Sequence, residues 1–93
     1  MSIFESLMKY ASKYQVKESR AFSAEEIAEV DSARVVASNY GLSACFFMKE
    51  GCQKYIPMSI NAVCQVGDSI DLTKARILIL QKEGSEDIVR IDI

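Results

Sequence analysis

The chain has 93 residues, a formal net charge of −2 and a hydrophobic fraction of 49%, with 26% charged residues, four glycines and one proline. These values exclude disordered and collagen-like proteins and allow one hydrophobic core, so we expect a single domain spanning residues 1–93. No apolar run reaches the roughly 18 residues that cross a bilayer, and Glu5 interrupts the stretch where a signal peptide needs an apolar core. We therefore expect a cytoplasmic protein with no membrane contact.

The first predicted element is an amphipathic helix over residues 2–14. Its apolar side chains recur at the helical period, and they are Ile3, Phe4, Leu7, Met8, Ala11 and Tyr14. Ser2 and Glu5 have the spacing of a capping box, which satisfies backbone groups at a helix start. We expect this helix to cover a sheet, although its apolar stripe would also suit a partner. Residues 15–22 are mostly polar and fit either a connector or an edge strand.

A second helix is predicted from Ala24 to about Val30. Ser23 and Glu26 repeat the capping-box spacing just before and inside it. The β-branched pair Val35-Val36 favours a strand after the helix. Helical spacing of apolar residues continues beyond Val30, however, so the pattern leaves open whether residues 24–36 form one helix or a helix followed by a strand.

The centre of the chain is predicted to form a β-hairpin. A strand over Val35–Asn39 precedes the turn Tyr40-Gly41, and a second strand over Leu42–Met48 alternates between two faces. The tripeptide Lys49-Glu50-Gly51 suits a three-residue loop with its glycine in the left-handed conformation. That loop length pairs position 46 with 54 and position 48 with 52, which sorts the side chains onto two faces. The predicted core face has Leu42, Ala44, Phe46, Met48, Cys52, Ile56 and Met58, and the outer face has Ser43, Cys45, Phe47, Gln53 and Tyr55.

The last third of the chain contains three further predicted strands. The first is short and runs over Ala62–Val66. Asp71 is then suited to cap one helical turn at Leu72–Ala75. The strand Arg76–Lys82 is apolar on both faces at its centre, which is typical of the interior of a sheet or barrel. In the final strand, Asp87–Ile93, the side chains predicted to face inward are Val89, Ile91 and Ile93.

Together these elements predict an α+β fold, in which an N-terminal amphipathic helix, or two short helices, packs on an antiparallel β-sheet or a small, partly open β-barrel of five to six strands. Residues 1–30 would form the helical segment and residues 31–93 the β-rich body. The strand order and the turn at Gly67-Asp68 resemble oligonucleotide-binding barrels, although the chain does not align with that family strand for strand.

The residue types argue against an enzyme and against a bound metal or cofactor. Histidine is absent, so neither a Ser-His nor a Cys-His catalytic pair can be built from this chain. The four glycines are isolated, so no glycine loop is available to hold phosphate. The cysteines are odd in number and lack the Cys-x-x-Cys spacing of zinc sites, which predicts reduced thiols at Cys45, Cys52 and Cys64. We expect a non-catalytic binding protein.

The candidate binding site is an aromatic and basic surface on the hairpin. Residues 33–66 carry three basic groups against one acidic group, whereas both flanking thirds of the chain are acidic. Small β-rich domains hold single-stranded nucleic acid by stacking bases on aromatic rings and pairing phosphates with Lys or Arg. The predicted site residues are the aromatic Phe47, Tyr55 and Tyr40, and the basic Arg34, Lys49 and Lys54.

Two alternatives stand beside this hypothesis. The N-terminal helix could cover Phe47 and Tyr55, which would remove the main support for nucleic-acid binding. The apolar strand Ile77–Leu80 and the aromatic hairpin would also suit a small protein-binding adaptor or inhibitor that forms a homodimer through apolar sheet surfaces. The predicted partners are therefore single-stranded nucleic acid, another protein or a second copy of the chain.

Overall fold

The chain folds into two three-stranded antiparallel sheets. The computed structural model describes residues 14–39, 41–82, 84 and 86–93. Its elements are β1 (Tyr14–Ala21), α1 (Ala24–Glu29), β2 (Val30–Ser38), β3 (Gly41–Met48), β4 (Gln53–Pro57), β5 (Arg76–Lys82) and β6 (Ile88–Asp92). The strand orders are β1-β5-β6 and β2-β3-β4. The chain therefore leaves the first sheet after β1, builds the whole second sheet, and returns to complete the first.

The fold class predicted from the sequence is wrong. The strands form two separate sheets rather than one sheet or a barrel, and no helix packed across a sheet is seen in the described part of the chain. α1 has six residues and none of them is fully buried, so it connects β1 to β2 and is too short to cover a sheet. The predicted helix over residues 2–14 lies outside the described residues, apart from Tyr14, which begins β1.

The short helix α1 begins where its capping box predicts. The Glu26 N–H donates to Ser23 Oγ at 3.1 Å, and the Ser23 N–H donates to Glu26 Oε1 at 2.8 Å. Val30 has an extended backbone and begins β2, so residues 24–36 are a helix followed by a strand. Arg20, near the end of β1, forms an ion pair with the same Glu26 carboxylate at 2.7 Å. The Glu26 carboxylate thus joins the end of β1, in the first sheet, to the helix that leads into the second sheet.

The β3–β4 hairpin has the predicted register. Phe46 pairs with Lys54, and the Met48 N–H donates to the Cys52 carbonyl at 2.9 Å. Gly51 closes the loop with a φ of +101°, in the left-handed region that favours glycine. The predicted core face holds except at Cys52, which is exposed because it lies in the loop before β4 begins.

The hydrophobic core forms where the two sheets meet. Both sheets contribute buried side chains, and so does the segment between β4 and β5; the core residues are Ala33, Val35, Ala44, Phe46, Met58, Ile70, Leu72, Ala75, Ile77 and Ile91. Phe22, just before α1, adds its ring at 5.9 Å from that of Phe46. The Ser59 N–H donates to the Ile91 carbonyl at 2.8 Å, which ties the end of β4 to β6. The two sheets are thus held together by both core packing and backbone hydrogen bonding.

Strands β5 and β6 follow their predicted bounds closely, with one difference in burial. β5 lies at the centre of its sheet, as its two apolar faces indicate. Val89, Ile91 and Ile93 alternate onto one face, as predicted. Only Ile91 is fully buried there, whereas Val89 and Ile93 are 38% and 46% exposed.

The predicted strand over Ala62–Val66 is absent from the described structure. Residues 62–65 make no strand pairing and lead into a turn in which the Gln65 N–H donates to Asp68 Oδ2 at 2.9 Å. The chain then runs along the free edge of β2, where the Val35 N–H donates to the Asp68 carbonyl at 2.8 Å. This segment satisfies the backbone of β2 that the second sheet leaves unpaired.

The predicted helical turn after Asp71 is present. The Ala75 N–H donates to the Asp71 carbonyl at 3.0 Å, and Asp71 Oδ1 accepts from the Thr73 N–H at 2.9 Å. The hydrogen bond from the Thr73 hydroxyl, followed by that from the Thr73 N–H, lowers the pKa of the Asp71 carboxyl. The turn leads directly into β5, which begins at Arg76.

Candidate functional site

The outer face of the β2-β3-β4 sheet carries both aromatic residues that the sequence predicts as base-stacking groups. The strand register aligns Arg34, Cys45 and Tyr55 in one row, and it places Phe47 opposite Gln53 in the next. Directly opposite side chains in such sheets lie about 5 Å apart and diagonal ones about 7 Å. Phe47 and Tyr55 are therefore diagonal neighbours. We call the surface formed by Arg34, Phe47, Gln53 and Tyr55 the platform.

The platform is open to solvent. Tyr55 is 58% exposed, and Arg34 and Gln53 are also exposed. Phe47 is half-buried between its neighbours. The alternative that the N-terminal helix covers Phe47 and Tyr55 concerns residues 2–14, which lie outside the described residues apart from Tyr14.

Cys45 lies between Arg34 and Tyr55 in the strand register. It is 2% exposed although its strand position is on the predicted outer face. Hydrogen bonding to Cys45 raises the pKa of Tyr55 above its ordinary value of 10, so the phenol is protonated at neutral pH. Tyr55 Oη donates to Gln53 Oε1 at 2.6 Å. Strand alternation alone assigns Cys45 to an exposed face, so the sequence pattern does not predict that Cys45 is buried and interacts with Tyr55.

Arg34 differs from the other three arginines of the chain. Arg20 is paired with Glu26, Arg76 donates to Ser19, and Arg90 donates to the Val89 carbonyl, at 2.7–2.9 Å. In the part of the chain that the structure describes, the Arg34 guanidinium has neither a hydrogen-bond acceptor nor an acidic partner. A guanidinium without an internal partner keeps all of its donors available to an external anion.

The other predicted basic residues lie away from the platform. Lys54 pairs with Phe46 and so belongs to the opposite face of the sheet. It lines an open depression of about 510 Å³ together with Lys49, Glu29 and Glu50. The two carboxylates offset the two ammonium groups, so this depression presents no net positive charge. Tyr40, the remaining predicted site residue, lies outside the described residues.

A second exposed surface was not predicted from the sequence. Ile60, Val63 and Val66 are 99%, 91% and 61% exposed on the loop that follows β4. Their neighbours Ala62 and Cys64 pack against the core, which holds the loop in place. The ten residues from Met58 to Gly67 contain no charged side chain. That charge-free run is the sequence signal that could have identified the loop.

Two further kinds of feature are absent from the described residues. Among them, no group of three or more Cys, Asp or Glu side chains could hold a metal ion. None of the helices in that part of the chain is long and apolar enough to span a membrane. Comparisons of the chain with protein-family models, with curated proteins and with solved structures find no match.

Proposed function

We propose that the platform binds single-stranded nucleic acid, with Tyr55 and Phe47 stacking on bases and Arg34 contacting a phosphate. The observation that supports this is the presence, on one sheet face, of an exposed ring and a guanidinium that has no partner among the described residues. Rings on a sheet surface stack on unpaired bases, and arginine pairs with phosphate oxygens.

The net charge of the protein bears on the expected affinity for nucleic acid and on how that affinity depends on salt concentration. A net charge of −2 gives no general attraction to a polyanion, so the energy has to come mainly from stacking. Each stacked base contributes about 1–3 kcal/mol. A single phosphate contact on a single strand gives a slope of about −0.7 in log K against log salt concentration. We therefore expect modest affinity and a shallow dependence on salt.

A titration of a fluorescently labelled oligonucleotide at several salt concentrations tests the proposal. The Arg34→Gln variant should bind more weakly and should lose about 0.7 of the salt slope. Lys54→Gln is the matched control, because it removes the same charge from the opposite face and should leave the slope unchanged. Absence of binding at low salt contradicts the proposal, and so does an equal change in both variants, which would indicate only a general charge effect.

As a second candidate, we propose that the loop bearing Ile60, Val63 and Val66 contacts a second copy of the chain. β-branched apolar side chains at this exposure favour burial against a partner. Because the loop carries no charge, two copies can meet there without like-charge repulsion.

Sedimentation at increasing protein concentration tests this second candidate. Dimerisation that persists at high salt and is lost in an Ile60→Ser/Val63→Ser variant supports it. A Val89→Ser variant, altered at an exposed valine on the other sheet, should still dimerise. A wild-type protein that stays monomeric at every concentration contradicts it.

A further inference from the structure

Gln53 and Tyr55 form a fixed pair on the platform. They are two positions apart on β4 and therefore project from the same face of the sheet. Both side chains are exposed, and the 2.6 Å hydrogen bond from Tyr55 Oη to Gln53 Oε1 joins them. Gln53 also lies directly opposite Phe47 in the strand register, so the three side chains share one part of the platform.

The hydrogen bond fixes which end of the Gln53 amide faces a ligand. A glutamine amide has an acceptor oxygen and a donor nitrogen, and an isolated one can rotate to offer either. Here the phenol proton engages one of the two lone pairs of Oε1 and orients the amide, so the Nε2 group keeps its donors for a ligand. Gln53 thus presents hydrogen-bond donors beside the stacking rings.

The orientation of the Gln53 amide bears on which bases it could contact. Glutamine reads adenine through a bidentate contact, in which Oε1 accepts from the adenine amino group and Nε2 donates to a ring nitrogen. Because Tyr55 already donates to Oε1, the adenine amino group would have to share that oxygen with the phenol, whereas a contact through Nε2 alone has no such competitor. A carbonyl oxygen of a base, such as those of thymine or uracil, needs only a donor and can be met by Nε2 alone.

We propose that Gln53, oriented by Tyr55, makes the platform prefer carbonyl-bearing bases such as thymine and uracil over adenine. This inference rests on the proposed nucleic-acid binding. One net hydrogen bond corresponds to a preference of roughly fivefold. Gln53 acts by direct contact with the base, and the Tyr55 hydroxyl acts as a positioning group.

The test compares the affinities of oligothymidine and oligoadenosine DNA of equal length. Tyr55→Phe keeps a ring for stacking but removes the hydroxyl that holds Oε1, and Gln53→Ala removes the amide. Both variants should lower the thymidine-to-adenosine affinity ratio by roughly fivefold. Because the self-stacking of each oligonucleotide is the same for every variant, the change in the ratio reports the protein contact. Gln81→Ala, at an exposed glutamine on the other sheet, should leave the ratio at its wild-type value.

The outcomes separate this inference from the proposed function. If neither oligonucleotide binds the wild-type protein, both the function and the preference are wrong. If both bind and the ratio is the same in wild-type, Tyr55→Phe and Gln53→Ala proteins, the inference is overturned while the binding function stands. A ratio that falls in both variants, with oligothymidine still bound by Tyr55→Phe, supports the inference.

Discussion

The carboxylate of Glu26 offers a stability prediction that follows directly from the structure. It accepts from the Arg20 guanidinium at 2.7 Å and 3.1 Å and from the Ser23 backbone N–H at 2.8 Å. The Arg20 hydrogen bonds, followed by that of the Ser23 backbone, lower the pKa of Glu26 from 4.5 to about 2. Replacement of this group by Gln removes the charge while keeping the size of the side chain.

The size of the effect follows from the pKa and the exposure. A fall in pKa from 4.5 to about 2 corresponds to at most about 3.4 kcal/mol. Because the Arg20 and Glu26 side chains are 41% and 37% exposed, solvent screening reduces this figure considerably. Gln at position 26 can still accept from the Ser23 N–H, so Glu26→Gln loses mainly the exposed ion pair, and we expect a loss of up to about 1 kcal/mol in unfolding free energy at pH 7.

Urea unfolding of both proteins between pH 7 and pH 2 measures this loss. A carboxyl whose pKa is lowered on folding contributes its full stability above the unfolded pKa, near 4.5, and loses it as the pH falls toward 2. The difference between wild type and Glu26→Gln should therefore be constant from pH 7 to about 5 and shrink below pH 4.5. Glu25→Gln, on the neighbouring helix position, is the control and should cost less. A difference that is absent at pH 7, or that does not change down to pH 2, refutes the reasoning.

Three further predictions concern the core, the hairpin loop and the thiols. In urea unfolding, Ile91→Ala at a fully buried site should cost about 2–5 kcal/mol and Ile60→Ala at an exposed site less than about 0.5 kcal/mol, and equal costs would contradict the assigned core. Gly51→Ala should cost about 1 kcal/mol or more because φ is +101° there, and an unchanged urea midpoint would contradict the left-handed loop. Hydrogen bonding to Glu50 raises the pKa of the exposed Cys52 thiol, so Glu50→Gln should speed its modification by a chromogenic disulfide at pH 7–8, whereas an unchanged rate would argue against the contact.

Local signals in the sequence predicted several elements well. The capping box at Ser23 marks the start of α1, and the loop Lys49-Glu50-Gly51 sets the hairpin register. The strand Arg76–Lys82 has the predicted bounds. Each of these features is decided by residues close together in the chain, through cap chemistry, turn geometry or a continuous apolar run.

The division into two sheets depends on contacts between distant residues, and the sequence patterns do not contain it. β1 is polar and exposed, and it forms a strand because it pairs with β5, where Ser19 lies opposite Leu78. Residues 62–65 have the apolar content of a strand, but the local hydrogen bond from Gln65 to Asp68 holds them in a loop. Neither outcome follows from periodicity, because each depends on which partner is available in the folded chain.

The sequence predicted part of the candidate site, because strand alternation and loop length are local signals. Alternation of side chains across the hairpin predicted that Phe47 and Tyr55 lie on one face, and the register agrees. The same alternation predicted that Lys54 lies on the other face, and the register agrees there too. The Tyr55–Gln53 hydrogen bond, and the lack of a partner for Arg34 within the described ranges, are properties of side-chain packing, so only the folded structure provides them.

The most direct test of the proposed function compares a Phe47→Ala/Tyr55→Ala double variant with the wild-type protein in an oligonucleotide titration at low salt. Loss of two stacking rings, each supporting a base by about 1–3 kcal/mol, should weaken binding by at least tenfold. Tyr55 is exposed and Phe47 half-buried, so circular dichroism should show that the fold is retained. Binding of equal strength by both proteins, or no binding by the wild-type protein, would contradict the assignment of the platform as a nucleic-acid surface.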